Sequence, residues 1–127
     1  MGLDMSFYKL GGVKSISSTG EIETDEKYTM EEIKYYRKFN ALHGLLNDLY
    51  LVRGGVDMNC ALVNVGLYDI NLIREHCLNK TLKPQEGFFW GRQDPVTDEE
   101  YSELLELVEE MESLIGEGWT IGYCGDW

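Results

Sequence analysis

After Arg92 the chain carries eleven acidic residues and no Lys or Arg, and this segment constrains the fold most, because so much unpaired charge must keep one face in water. Pro95-Val96-Thr97-Asp98-Glu99-Glu100 reads as a helix start. Thr97 stands at the capping position, and three acids follow in the first turn, where the helix dipole favours negative charge. Tyr101, Leu104, Leu105, Val108, Met111 and Ile115 then recur at helical spacing and supply an apolar face. Gly116 and Gly118 end the pattern, which predicts a helix over Asp98–Ile115 and a final strand over Trp119–Cys124.

Up to and including Arg92 the chain has all 11 basic residues and 12 acidic ones, a balance of −1; the remainder contributes −11, which together give the net charge of −12. The 127 residues fit one core and not two. Residues 1–127 are therefore read as a single globular domain with an acidic C-terminal helix-strand unit at about 94–127.

Upstream, Leu3–Leu10 reads as a strand ended by Gly11-Gly12, and the polar stretch Val13–Lys27 reads as a loop with a short edge strand about Glu21–Thr24. Thr29 with Glu32 matches a capping box. Tyr35, Phe39, Leu42, Leu46 and Leu49 follow at helical spacing, so a first helix is expected over Met30–Leu49. Cys60–Val65 is rich in strand formers, Leu67–Asn79 suits a second helix, and Gly87-Phe88-Phe89-Trp90-Gly91 reads as a buried strand. The elements predict an α+β fold, a small mixed sheet of about four short strands covered by three helices.

No apolar run approaches the roughly 20 residues that span a bilayer, so no membrane partner is expected. Three widely spaced cysteines without a C-x-x-C pair fit a reducing cytoplasm. No phosphate-loop pattern is present. His76 and Cys77 are adjacent and point about 100° apart on a helix, so with His43 and Cys60 they predict no metal site and no cofactor. The aromatic run lacks basic companions, and the net charge repels phosphate, so direct nucleic-acid binding is not expected either.

Three blocks occur in order along the chain: the opening Met-Gly-Leu-Asp-Met, the segment Tyr35-Tyr36-Arg37-Lys38-Phe39-Asn40-Ala41-Leu42-His43, and Gly87-Phe88-Phe89-Trp90-Gly91, followed by an acidic helix and a strand ending in Trp127. This pattern resembles a family of small, functionally uncharacterised proteins encoded by bacteriophages and prophages. The resemblance implies a bacterial host cytoplasm and a phage context, and it implies no reaction.

Two sets of residues are candidates for function. On the predicted first helix, Tyr36, Asn40, His43 and Asn47 lie on one face with Arg37 beside them, a row able to bind a small ligand or to hold neighbouring backbone by hydrogen bonds. His43 is also the side chain suited to a general base near neutral pH, although no nucleophile motif accompanies it. On the acidic helix, Glu99, Glu103, Glu106 and Glu110 form a stripe at spacings of four, three and four with no Lys among them. Like charges at those spacings cost about 0.2–0.5 kcal/mol per pair. Such a stripe is either a solvated face or a surface that meets a basic groove on a partner. The preferred expectation is an acidic accessory protein that binds a host protein with a basic surface. Its most concrete form is an inhibitor of a nucleic-acid-binding or defence enzyme, in the manner of anti-CRISPR proteins. The alternatives are a ligand-binding or enzymatic role for Tyr36, Arg37, Asn40 and His43, and a structural or assembly role in a phage particle.

Overall fold

Burial alternates along the N-terminal end: Leu3, Met5 and Phe7 are fully buried while Asp4 between them is exposed, the period of a strand with one face on a core. The computed structural model describes residues 2–83 and 95–127. The elements in order are β1 (Asp4–Ile16), β2 (Ile22–Arg37), α1 (Asn40–Val52), β3 (Val63–Asn64), α2 (Leu67–Asn79), α3 (Asp98–Gly116) and β4 (Thr120–Asp126). Together they make the expected α+β architecture, with strand order β2-β1-β4-β3. The ladders are antiparallel, and an isolated bridge between Asn59 and Gly125 is parallel.

One face of the sheet meets the helices. Leu3, Met5 and Phe7 of β1 and Ile121 and Tyr123 of β4 share a core with Leu42 and Leu46 of α1, Ile70 and Ile73 of α2, and Leu104, Val108 and Met111 of α3. The tip of the hairpin covers part of the other face, around Gly122. β4 pairs with β1 only as far as Leu10, and beyond that point the β1–β2 ladder shifts register between Gly11 and Val13 and again between Val13 and Ser15. Irregularities of this kind sharpen the twist of a strand pair. The tip therefore curls back to β3: Glu21 bridges Val63, Ile22 N–H donates to Leu62 O at 3.1 Å, and Asn64 N–H donates to Gly20 O at 2.7 Å. Leu10, Leu62 and Ile22 converge over Gly122, where a Cβ would stand 2.9–3.2 Å from all three.

The first helix is shorter and later than expected. The residues of the Thr29/Glu32 pattern lie within β2, and helix begins only at Asn40. Tyr28, Thr29, Ile33, Tyr35 and Tyr36 are aromatic or β-branched, and pairing with β1 from Thr29 to Arg37 overrides a weak local capping signal. Lys38, at φ 58°, then breaks the strand. The predicted loop over Val13–Lys27 is largely strand, since β1 runs through Gly11-Gly12 to Ile16 and β2 starts at Ile22, so the hairpin strands are long rather than short. The strand foreseen over Cys60–Val65 contracts to Val63–Asn64, and Cys60 adopts φ 62°. The strand expected at Gly87–Gly91 lies outside the described residues. α2 has the expected bounds, and α3 starts where Thr97 predicts: Glu100 N–H donates to Thr97 Oγ1 at 3.1 Å, and Thr97 N–H donates to Glu100 Oε1 at 2.9 Å.

Candidate functional site

α3 buries Tyr101, Leu104, Leu107, Val108 and Met111 against the sheet and α2, and so turns two acidic flanks to solvent. The flank beside α2 is neutralised. Arg74 lies 3.7 Å from Glu109 and 2.5 Å from Glu112, and Lys80 lies 2.8 Å from Asp98. The other flank carries Glu99, Glu103, Glu106 and Glu110, all exposed. Among the described residues none of these four makes an ion pair or a side-chain hydrogen bond. From Glu99 to Glu110 the row runs about 16 Å at the helical rise of 1.5 Å per residue. Like-charge repulsion within it goes unrelieved, while the paired flank recovers its cost.

This flank borders the C-terminal part of β2. Burial, chiefly, and then the negative charge of Glu103 and Glu100 raise the pKa of the Tyr36 hydroxyl. That hydroxyl is buried and has no hydrogen-bond partner among the described residues. The Lys34 ammonium stands 5.0 Å over the Tyr36 ring. An acidic row with an aromatic edge and one lysine beside it is chemically suited to hold cationic side chains of another macromolecule.

The predicted polar row is divided between two elements. Tyr36 and Arg37 close β2, whereas Asn40 and His43 open α1, so the four do not form a stripe on one helix. Arg37 turns outward, with its guanidinium 3.8 Å from Asp4 at an exposed position. Tyr36 remains linked to His43 through rings: Tyr36 packs edge-on against Phe39 at 5.2 Å and Phe7 at 6.4 Å, Phe7 meets Tyr123 at 4.9 Å, and Tyr123 meets His43. Asn40 and His43 are both fully buried. His43 Nδ1 shares a 2.6 Å hydrogen bond with the Tyr123 hydroxyl, and burial lowers its pKa to about 4. Gly125 is required beside this pair, because a Cβ there would stand 2.7 Å from His43 Cε1. The Trp127 ring closes the cluster edge-on at 4.8 Å. A neutral imidazole enclosed in this way pins β4 and the C-terminus to α1.

Tyr123, Arg74 and Lys80 were not singled out by sequence reasoning. The alternation of Ile121, Tyr123 and Gly125 on the buried face is the signal that marks Tyr123; nothing local marks Arg74 as the partner of acids 35 and 38 positions away. Among the described residues, no group of three or more His, Cys, Asp and Glu side chains is placed to hold a metal ion, and no helix is long and apolar enough to cross a membrane. Comparison of the chain with known protein families, with curated proteins and with solved structures found no match.

Proposed function

We propose that the chain is an acidic accessory protein that works by binding another protein through the unpaired flank of α3. The observation that carries this reading is the asymmetry of the helix. Glu109, Glu112 and Asp98 have cations within the molecule, whereas among the described residues Glu99, Glu103, Glu106 and Glu110 have none. A row of about four carboxylates over about 16 Å complements a groove built for phosphates. The partner class is therefore a protein with a basic, nucleic-acid-binding surface. The resemblance to phage-encoded proteins supports a host protein in that role, with inhibition of a nucleic-acid-processing or defence enzyme as the outcome, in a bacterial cytoplasm. The enzymatic or small-ligand alternative is less well supported, because His43 is fully buried and bonded to Tyr123.

The test is quantitative capture from bacterial lysate with the native chain and with a variant carrying Glu99→Lys, Glu103→Lys, Glu106→Lys and Glu110→Lys. Basic nucleic-acid-binding proteins retained by the native chain are expected to be lost by the variant and to elute as salt rises. A folded variant that retains the same proteins at low and high salt would overturn the reading.

A further inference from the structure

Alternation of backbone groups along each strand fixes what the open edge of β2 offers. Val65 N–H donates to Ile121 O, so Ile121 turns its backbone groups toward β3, and Thr120 and Gly122 turn theirs toward β1. Their partners Leu10 and Tyr8 face β4 in return, which leaves Lys9 and Gly11 facing Glu31 and Thr29 of β2. Met30 and Glu32 therefore aim their N–H and C=O groups away from the sheet. At the other end Lys38 N–H donates to Leu3 O, so Tyr36 and Lys34 face β1 while Arg37 and Tyr35 face outward. Among the described residues no strand pairs with this edge. Met30 and Tyr35 on it are 42% and 48% exposed, and the Tyr35 ring is fixed by its hydroxyl bond to Asp4.

The spacing of these positions selects the strand that fits. Phe7 pairs with Lys34 and Tyr8 with Glu32, which leaves Ile33 as an extra residue. The outward positions Glu32 and Tyr35 are thus three residues apart, where a regular strand steps by two. A regular strand paired at Met30 and Glu32 falls out of step at Tyr35 and Arg37. A second copy, antiparallel about a two-fold axis, carries the same irregularity and stays in step on both sides of it.

Charge then selects the register. Glu31 and Lys34 lie across from Lys9 and Phe7, two residues apart on β1, so their side chains share one face of the sheet. Met30 and Tyr35, across from Leu10 and Ser6, share the other. With the axis between Glu32 and Ile33, Met30 of each copy meets Tyr35 of the other through outward backbone groups. Glu31 meets Lys34 beside them, at a position without backbone bonds where opposed side chains stand closer. Glu31 already reaches Lys9 at 3.2 Å but remains exposed, and Lys34 has no ion-pair partner among the described residues. Moving the axis onto Glu31 sets that carboxylate against its own copy, and moving it between Ile33 and Lys34 leaves no opposite charges facing each other.

We propose that the chain forms a two-fold dimer by pairing β2 with β2 of a second copy about an axis between Glu32 and Ile33, joining two four-stranded sheets into one. This goes beyond the α3 reading and uses none of the four α3 glutamates, so either can fail alone.

The test starts with the full native chain at physiological ionic strength. Sedimentation equilibrium should show the mass of two chains as concentration rises. Over the same range, hydrogen exchange at the Met30 and Tyr35 amides should slow, whereas Thr29 and Tyr36, already bonded to β1, should exchange at a constant rate. Lys34→Glu sets a glutamate against Glu31 on both sides of the axis and should weaken the dimer about tenfold; Glu31→Lys should do the same with lysines. Mixed in equal amounts, the two variants face each other with opposite charges and should associate to within about threefold of the native chain. A chain that stays monomeric at millimolar concentration would overturn the proposal. So would a dimer in which the Met30 and Tyr35 amides exchange as they do in the monomer, single variants that dimerise undiminished, or a mixture that does not recover. If the variants do not fold, exchange in the native chain decides.

Discussion

The free flank of α3 and the cluster under β4 handle polar groups in opposite ways. On the flank, four carboxylates stand in water with no cation paired to them among the described residues, and each neighbouring pair costs a few tenths of a kcal/mol. Under β4, one imidazole is shut away from water, held neutral, and bonded to Tyr123. High dielectric makes accumulated charge cheap outside, whereas desolvation disfavours the charged imidazole inside. The outer region should therefore answer to salt and the inner one to acid.

The largest expected effect tests the inner region. The His43 pKa falls from the ordinary value of about 6.5 to about 4 on folding, so on acidification the unfolded chain takes up the proton first. Stability is fully present above about pH 6.5 and is lost as pH falls toward 4, by about 3 kcal/mol at 1.36 kcal/mol per pKa unit. Chemical denaturation at several pH values should show this loss in the native chain, and His43→Gln should show a shallower dependence over the same window. Equal slopes would mean that the imidazole is not the acid-sensitive group.

Next in size is the outer region. Reversing Glu99, Glu103, Glu106 and Glu110 to Lys takes the net charge from −12 to −4. Association with a basic partner should slow about tenfold at low ionic strength, with the difference shrinking as salt rises. The fold should survive, because Lys and Glu have similar helix propensity and the apolar face is untouched. A salt-independent difference between the two proteins would point to local contacts and not to charge.

A smaller effect belongs to the helix that carries the flank. Thr97→Ala removes the side-chain acceptor for Glu100 N–H and should lower stability by about 1 kcal/mol without altering salt dependence, as read from the urea midpoint. The smallest effect sharpens the contrast between the two flanks. Arg74→Gln strands Glu109 and Glu112, both exposed, and should cost about 0.5 kcal/mol while leaving partner association unchanged. Faster association in this variant would show that the α2 side of the helix belongs to the binding surface.

The parts of this arrangement that were legible in the sequence are the ones fixed by neighbours in the chain. α2 and α3 follow from an apolar period and, for α3, from the reciprocal Thr97–Glu100 cap, so their bounds and the solvent-facing position of the four glutamates were readable. β2 was not, because Tyr35 and Phe39 fall by coincidence into register with the helical series of α1, and only pairing with β1 decides between the two states. The same holds for the sites. That Glu99 to Glu110 are exposed is local information. That they are unpaired depends on where Arg74 and Lys80 point, and the bond that fixes His43 reaches a residue 80 positions away.

The curled hairpin has a consequence for self-association. Fibrils and runaway polymers that grow strand by strand need two open borders on every subunit, one to accept and one to offer. Here the outer border of β3 is occupied by the returning tip through Gly20, Glu21 and Ile22, while β2 and the part of β1 beyond Leu10 keep an uncovered border among the described residues. Strand-by-strand addition at β3 is thus blocked by the molecule's own hairpin tip.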